Sequence, residues 1–307
     1  MSVALYTHAL CLEHDPGPGH PESPARLAAV LVALDDPRFA LLDRIDAPRA
    51  THAQLARVHR AELIDEILTN VPEAGWVRLD ADTVMSPASA EAALRAAGAV
   101  CAAVDAAISN ARPRAFCAVR PPGHHATPSA AMGFCLFNSI AVGAAHAIAQ
   151  HGLARVAIVD FDVHHGNGTQ DIFWNDARVL YASSHQWPLY PGTGARGETG
   201  TGNIVNAPLA AGAGSKEFRH AYESIVLPAL EAFAPQLVMI SAGFDAHRLD
   251  PLANLNLDAD DYGWVTRRLV DLANRHACGR IVSSLEGGYS LTALRESTAA
   301  HVDALLD

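Results

Sequence analysis

Short runs of β-branched and aliphatic residues recur along the chain: Val3–Tyr6, Ala115–Val119, Val156–Phe161, Val179–Ala182, Leu237–Ser241 and Ile281–Leu285. Continuous apolar runs of this length predict strands buried on both faces of a sheet. Between them lie Ala-rich stretches with helical periodicity, among them Ala90–Ser109, Ser139–Gln150, Ser215–Phe233 and Asp258–Ala277. Pro87 followed by Glu91, and Ser215 followed by Glu217 and Phe218, have the character of helix starts. Met1–Leu10 reads as a strand, since it lacks the basic stretch and long apolar core of a secretory signal. Alternation of strand and helix predicts βαβ units, and hence an α/β fold with a mainly parallel sheet covered by helices on both faces. No repeat, low-complexity tract or linker divides residues 1–307, so one domain is expected, with Leu189–Gly202 as a long internal loop.

The polar residues are placed as regularly as the apolar ones. Arg120–His125, Asp160–Gly168, Ser183–His185, Gly243–Asp250 and Glu286–Tyr289 each follow directly on an apolar run. Sites in open parallel α/β sheets form outside the carboxyl ends of strands. Five such ends are therefore expected to converge on one crevice.

Composition narrows the partners. Of 307 residues, 50% are hydrophobic, which is ample for one large core. The net charge is −11 and no Lys/Arg-rich stripe occurs, which argues against nucleic acid as a partner. A negative surface suits a cationic substrate, although acidity is also ordinary for a cytosolic protein. Cys11, Cys101, Cys117, Cys135 and Cys278 are odd in number and show no CxxC spacing, against both a disulfide framework and a thiolate metal site. No apolar run reaches bilayer-spanning length. The expectation is a cytoplasmic protein without a membrane partner.

In Asp160-Phe161-Asp162-Val163-His164-His165-Gly166-Asn167, Asp162 and His164 stand two residues apart at a strand end, so their side chains share a side. With the strand-end Asp245 they offer two carboxylates and an imidazole. Three such ligands leave a fourth position open, as in a catalytic zinc site. A D-x-H pair alone equally suits a helix cap or an internal ion pair. The adjacent His124 and His125, on the Pro/Gly-rich Arg120–His125 segment, suit general acid–base work, with Asp160 and Asn167 as partners for their rings. A His beside a carboxylate is favoured as imidazolium, whereas one held by an amide stays neutral. In Glu286-Gly287-Gly288-Tyr289 the glycines permit a sharp turn, and the Tyr289 phenol can donate to a developing oxyanion.

These motifs together resemble the histone deacetylase and acetylpolyamine amidohydrolase family, nearer its class II branch. The resemblance runs from Gly19-His20-Pro21-Glu22-Ser23-Pro24 to the end of the chain. It rests on RPPGHHA (Arg120–Ala126), GFCLFNSIA (Gly133–Ala141), VDFDVHHGNGTQ (Val159–Gln170), SAGFDAH (Ser241–His247) and LEGGY (Leu285–Tyr289). It implies an arginase–deacetylase fold with a sheet of about eight strands. It also implies zinc on Asp162, His164 and Asp245, with Fe²⁺ as the alternative ion, and Tyr289 as the oxyanion-stabilising phenol. His125 paired with Asn167 is implied as general base and acid, and His124 paired with Asp160 as electrostatic partner. A structural potassium ion is implied around Asp160, Asp162, His164, Ser183 and Ser184, and a second around Phe173, Asp176, Val179 and Asn206. The more distant arginases carry an extra carboxylate that bridges two manganese ions. Gly166 follows His165 here, so one metal is expected.

The same resemblance places Gly133, Phe134, Tyr190 and Gly287 at an acyl-lysine tunnel, with Asp82 as a carboxylate at its rim. Leu252 falls where polyamine-specific relatives place a gatekeeping Glu, favouring acyl-lysine in a protein or peptide over an acetylated polyamine. Tyr289 stands where weakly active class IIa members carry His, so an active hydrolase is implied. The alternatives are an amidohydrolase of acetylated polyamines or other small amines, a non-catalytic acyl-lysine reader, and a ureohydrolase.

Overall fold

A computed structural model describes residues 3–307; Met1 and Ser2, the start of the strand expected over Met1–Leu10, lie outside the described residues. Ten strands follow in chain order: β1 Val3–Thr7, β2 Asp43–Asp46, β3 Val77–Arg78, β4 Val84–Met85, β5 Arg114–Cys117, β6 Val156–Asp160, β7 Val179–Gln186, β8 Ile204–Leu209, β9 Leu237–Ala242 and β10 Ile281–Leu285. Eight of them form one sheet in the order β2-β1-β5-β10-β9-β6-β7-β8, while β3 and β4 pair as a small antiparallel ribbon. Every pairing in the large sheet is parallel. The expected "mainly parallel" sheet is therefore wholly parallel.

The central strands are apolar at most positions and buried throughout, as a sheet covered on both faces requires. Helices Ser89–Ile108 and Ser139–His151 pack together in one layer, and helices Ala259–His276 and Leu291–Leu306 pack together with Pro24–Ala33 in the other. The small Ala and Gly side chains of Ser89–Ile108 and Ser139–His151 let those two helices approach closely. The expected helix over Ser215–Phe233 is present but contains a π segment, Tyr222–Val226, between two α-helical pieces. The β7 strand extends to Gln186, so Ser183–His185 lie within it and not after it. The stretch expected as a long loop, Leu189–Gly202, lies between β7 and β8, a parallel connection made without a helix.

Five adjacent strands, β5-β10-β9-β6-β7, carry the polar segments, and their carboxyl ends lie side by side. This ordering brings residues far apart in sequence into one crevice.

Candidate active site

The site is built from strand-end turns that hold one another through backbone N–H groups. At the end of β6, Asp160 Oδ1 accepts the Asp162 N–H at 3.1 Å, and Asp162 Oδ1 accepts the His164 N–H at 2.9 Å. Asp162 Oδ2 accepts the Gly287 N–H at 2.8 Å from the turn after β10. Asp245, in the turn after β9, accepts the Val163 N–H at 2.8 Å. Each carboxylate is thereby fixed by a neighbouring strand end. Their remaining valence faces His164, whose Nδ1 lies 3.2 Å from both Asp162 Oδ1 and Asp245 Oδ2.

All three residues are buried, and one ligand atom from each lies within 4.8 Å of the others. Two carboxylates crowd one imidazole nitrogen, an arrangement with surplus negative charge. Burial alone would lower the His164 pKa, but its bonds to Asp162 and Asp245 push it up to about 10. Burial and the Asp162 charge push Asp245 up to about 7. A divalent cation relieves that surplus. The backbone makes room for the carboxylates: a Cβ on Gly287 would stand 2.2 Å from Asp245 Oδ2, and one on Gly243 would stand 2.0 Å from Asp162 Oδ2.

Beside this cluster lie the paired histidines. His124 Nδ1 is 3.0 Å from Asp160 Oδ2, which also accepts the Tyr181 hydroxyl at 3.0 Å. Burial opposes a charge on His124, yet Asp162 and Asp160 outweigh it and raise its pKa to about 10. His125 Nδ1 is 2.8 Å from Asn167 Oδ1. Burial, together with the neighbouring His124 and His164, holds His125 well below the usual imidazole range. An acceptor at Nδ1 puts the proton there and leaves Nε2 with its lone pair. The loop carrying the pair is pinned by Glu286, whose Oε2 accepts the N–H groups of Gly123 and His124 at 2.6 and 3.1 Å. Burial pushes that carboxyl up to about 7.

A cavity of about 200 Å³ leads to these groups, lined by Asp82, His125, Gly133, Phe134, His164, Leu189, Tyr190, Leu252 and Tyr289. Phe134 and Tyr190 give it aromatic walls; Phe134 meets Tyr289 edge-on at 5.9 Å, and Tyr190 meets His125 at 5.2 Å between ring centroids. Gly133 and Phe134 both adopt left-handed backbone, with φ of 57° and 67°. A side chain at Gly133 would strike the His125 ring, its Cβ 2.5 Å from Cδ2. The segment is held by Asp82 Oδ1, which accepts the Gly133 N–H, and by Thr83 Oγ1, which accepts the Phe134 N–H. Five of the six residues expected at the tunnel line the cavity. Gly287 does not: its N–H is spent on Asp162 and its carbonyl on the Phe244 N–H, so it orients a carboxylate from behind.

Two arginines complete the frame, Arg120 of the RPPGHHA motif and Arg26, which no motif singles out. Arg26 donates to the carbonyls of Glu286 and Gly288 at 2.5 and 2.6 Å and lies over the Tyr289 ring, 4.8 Å from its centroid. Arg26 and Arg120 share the buried Glu22, which also meets His14. A single charge in the apolar helix Pro24–Ala33, four residues after a Glu, was the available signal.

The expected potassium groups are arranged differently from each other. Asp160 pairs in register with Ser183, which with Ser184 stands beside the Asp160–His164 turn. In the second group Phe173, Asp176 and Val179 do converge, but on the side-chain amide of Asn203. Asn206, expected there, instead donates to Gln170 Oε1 at 2.8 Å; alternation along β8 turns it away from that turn. A further His/Asp cluster, Asp105, His146 and His151, lies near the surface. Arg57 donates to His146 Nδ1, so the His146 proton sits on Nε2, facing Asp105 at 2.7 Å. Hydrogen bonding accounts for that cluster.

Fold and site define an α/β protein whose strand ends enclose a carboxylate–imidazole centre beneath a narrow aromatic cavity. Residues 20–305 match the model of the histone deacetylase domain. The chain is 41% identical to a histone deacetylase-like amidohydrolase of Pseudomonas aeruginosa, over 94% of this chain and 82% of that one. It is 39% identical to a probable deacetylase of Archaeoglobus fulgidus, over 95% and 82%. The crystal structure of the HDA15 HD domain superposes with a TM-score of 0.94 at 38% identity, covering 99% of this chain and 88% of that one. The chain belongs to the histone deacetylase family of hydrolases, with the arginase–deacetylase fold. Among the described residues no helix is long and apolar enough to cross a membrane.

Proposed function

We propose that the chain is a zinc-dependent deacetylase that hydrolyses the N-acetyl amide of lysine side chains in proteins or peptides, releasing acetate and the free amine. The observation that carries this reading is the meeting of Asp162, His164 and Asp245 with a neutral His125 and the Tyr289 phenol at the base of one narrow cavity. The donor set, two carboxylate oxygens and one imidazole nitrogen, fits a single Zn²⁺, and Fe²⁺ fits the same ligands. Bound there, the ion supplies Lewis acidity toward the amide carbonyl and acidifies a water.

The chain's own groups do the rest. His125 Nε2, left unprotonated by the Nδ1 bond to Asn167, takes the proton from the attacking water. His124, kept cationic by Asp162 and Asp160, adds positive charge beside the forming oxyanion. Burial first, and then the negative charges of Asp245 and Asp162, holds the Tyr289 hydroxyl well above its usual pKa, so it remains a donor to that oxyanion. As the C–N bond breaks, His125 returns its proton to the leaving amine. Phe134 and Tyr190 enclose an unbranched chain and exclude water from the reacting bond.

A structural potassium ion fits the Asp160–Ser183 group. His185 Nε2 faces the Gly194 carbonyl, and burial keeps the ring neutral, its pKa lowered to about 4. The Ser183 hydroxyl therefore donates to His185 Nδ1 and keeps its oxygen lone pairs for a cation. Five free cysteines, four of them buried, suit the reducing cytoplasm.

Acetylated polyamines are the second reading, favoured by the net charge of −11 and by Asp82 at the cavity. Leu252, apolar at that wall, favours acyl-lysine instead. The deciding experiment is a turnover panel of acetyl-lysine peptides, acetylputrescine and acetylspermidine, with metal analysis of the same sample. The proposal expects one zinc per chain and the highest kcat/KM on a peptide. Preference for the polyamines would establish the second reading; bound metal without hydrolysis of any acyl amide would indicate a reader.

A further inference from the structure

The resemblance implies a second potassium ion at the turn leading into β7, and the residues there do not fit one. The Asn203 Nδ2 lies 2.8 Å from the Phe173 carbonyl oxygen, 3.1 Å from that of Asp176 and 2.9 Å from that of Val179. Three carbonyl oxygens turned to one point repel each other unless something positive stands between them. Here that point holds an amide nitrogen, whose two N–H groups serve three acceptors, one of them shared.

Which end of the amide faces the carbonyls is fixed independently. Asn203 Oδ1 accepts the backbone N–H of Thr201 at 3.1 Å and the Thr201 hydroxyl at 3.1 Å. A backbone N–H can only donate, so the oxygen must face Thr201 and the nitrogen must face the turn. The residue is 4% exposed and its own carbonyl accepts the Tyr181 N–H, which ties the amide to β7. A cation bound by the same three oxygens would have to stand where Nδ2 stands. The two are mutually exclusive.

We propose that Asn203 replaces a monovalent cation: a side-chain amide closes the Phe173–Val179 turn, and this turn and the strand it leads into do not depend on potassium. The inference does not rest on the proposed reaction, because it concerns a structural site outside the catalytic cavity.

Crystals of the wild-type protein soaked in rubidium chloride test it directly. No anomalous peak is expected among the carbonyls of Phe173, Asp176 and Val179; a peak there overturns the proposal. Equilibrium dialysis with thallium(I) gives the second measurement. Asn203→Ala, which uncovers three carbonyls, should bind one more ion per chain than the wild type. In tetramethylammonium chloride its Tm should fall by several degrees, and added potassium chloride should restore it. Equal thallium counts in the two proteins overturn the proposal. If Asn203→Ala does not fold, Asn203→Asp carries the same comparison, since a carboxylate cannot donate to the carbonyls and requires a cation between them; equal counts again overturn it.

Discussion

His125 Nδ1 lies 2.8 Å from Asn167 Oδ1, whereas the adjacent His124 turns the same nitrogen to the Asp160 carboxylate at 3.0 Å. Two neighbouring imidazoles are thus held in opposite protonation states: Asp162 and Asp160 favour the charge on His124, while burial and the nearby His124 and His164 disfavour it on His125, whose amide partner supplies no countercharge. Asn167→Asp should erase the difference. A carboxylate at 167 favours the imidazolium of His125, which cannot accept a proton from water. Turnover of an acetyl-lysine peptide is expected to fall on the order of 10²-fold, the scale of losing general-base assistance. Steady-state kcat of the two proteins, with melting curves to confirm folding, checks it; equal kcat would remove His125 from the proton transfer.

The Tyr289 phenol is poised by its neighbours. Arg26 stacks on its ring and its backbone N–H is held by Asp250 Oδ2 at 2.7 Å. Phenylalanine keeps the packing and loses only the donor. Tyr289→Phe is therefore expected to lower kcat by roughly 10²–10³-fold with little change in KM, as for removal of one oxyanion donor. Wild-type kcat in this variant would show that the hydroxyl does not meet the oxyanion.

Gly287 offers a test of the metal reading that touches no ligand. An alanine Cβ at this position would stand 2.2 Å from Asp245 Oδ2 and 2.6 Å from Asp162 Oδ2, displacing both carboxylates. Gly287→Ala should fold and bind well under one zinc per chain, where the wild type binds one. Elemental analysis after dialysis distinguishes the outcomes, and full occupancy in the variant would place the ion elsewhere.

These residues differ in how visible they are in the chain itself. Strands such as Ile281–Leu285 and helices such as Ser139–His151 are legible because burial on both faces, or on one helical stripe, imposes a period on the sequence. The edge strands β2 and β8 were missed for the converse reason. Asp43–Asp46 alternates between partly and largely exposed positions and carries three charges, and β8 holds Pro208, which an edge strand tolerates. The metal-type cluster was legible because Asp162 and His164 share one strand end, and Asp245 follows another. The role of Gly287, expected at the tunnel, and the place of Asn203 were not, because their work is done by a backbone N–H and by an amide aimed at carbonyls from distant segments. Nothing in spacing separates Asn203 from Asn206; only the phase of β8 does.

Glu22 joins the helix Pro24–Ala33 to the Arg120–His125 turn. It accepts Arg26 Nη1 at 2.9 Å and Arg120 Nη2 at 2.7 Å, with all three side chains buried. Burial opposes its charge, but Arg120 and His14 hold its carboxyl well below the usual range. Removing it leaves two buried guanidinium groups facing each other. Glu22→Ala is expected to cost about 3–5 kcal/mol of unfolding free energy, the scale of breaking a buried pair from one side. Denaturant titration reads it, and a loss under about 1 kcal/mol, typical of an exposed pair, would contradict the network's role.

His301 is one residue through which mild acid should act on stability away from the candidate site. It is fully buried, with Nδ1 2.7 Å from Thr266 Oγ1 and Nε2 2.9 Å from Ser283 Oγ. Burial lowers its pKa to about 3, so the folded protein keeps it neutral while the unfolded chain protonates near pH 6.5. A depressed histidine gives the unfolded state the extra proton, and stability therefore falls as pH drops from about 6.5 toward 3. Between pH 7 and pH 5 the loss from this one group is about 2 kcal/mol, at 1.36 kcal/mol per pH unit below the unfolded pKa. His301→Gln removes the titration while keeping a polar group between the two hydroxyls. Its unfolding free energy should decline less over that interval by about the same 2 kcal/mol, whatever its stability at pH 7. Parallel pH slopes for variant and wild type would mean that the folded protein protonates His301 as readily as the unfolded chain does.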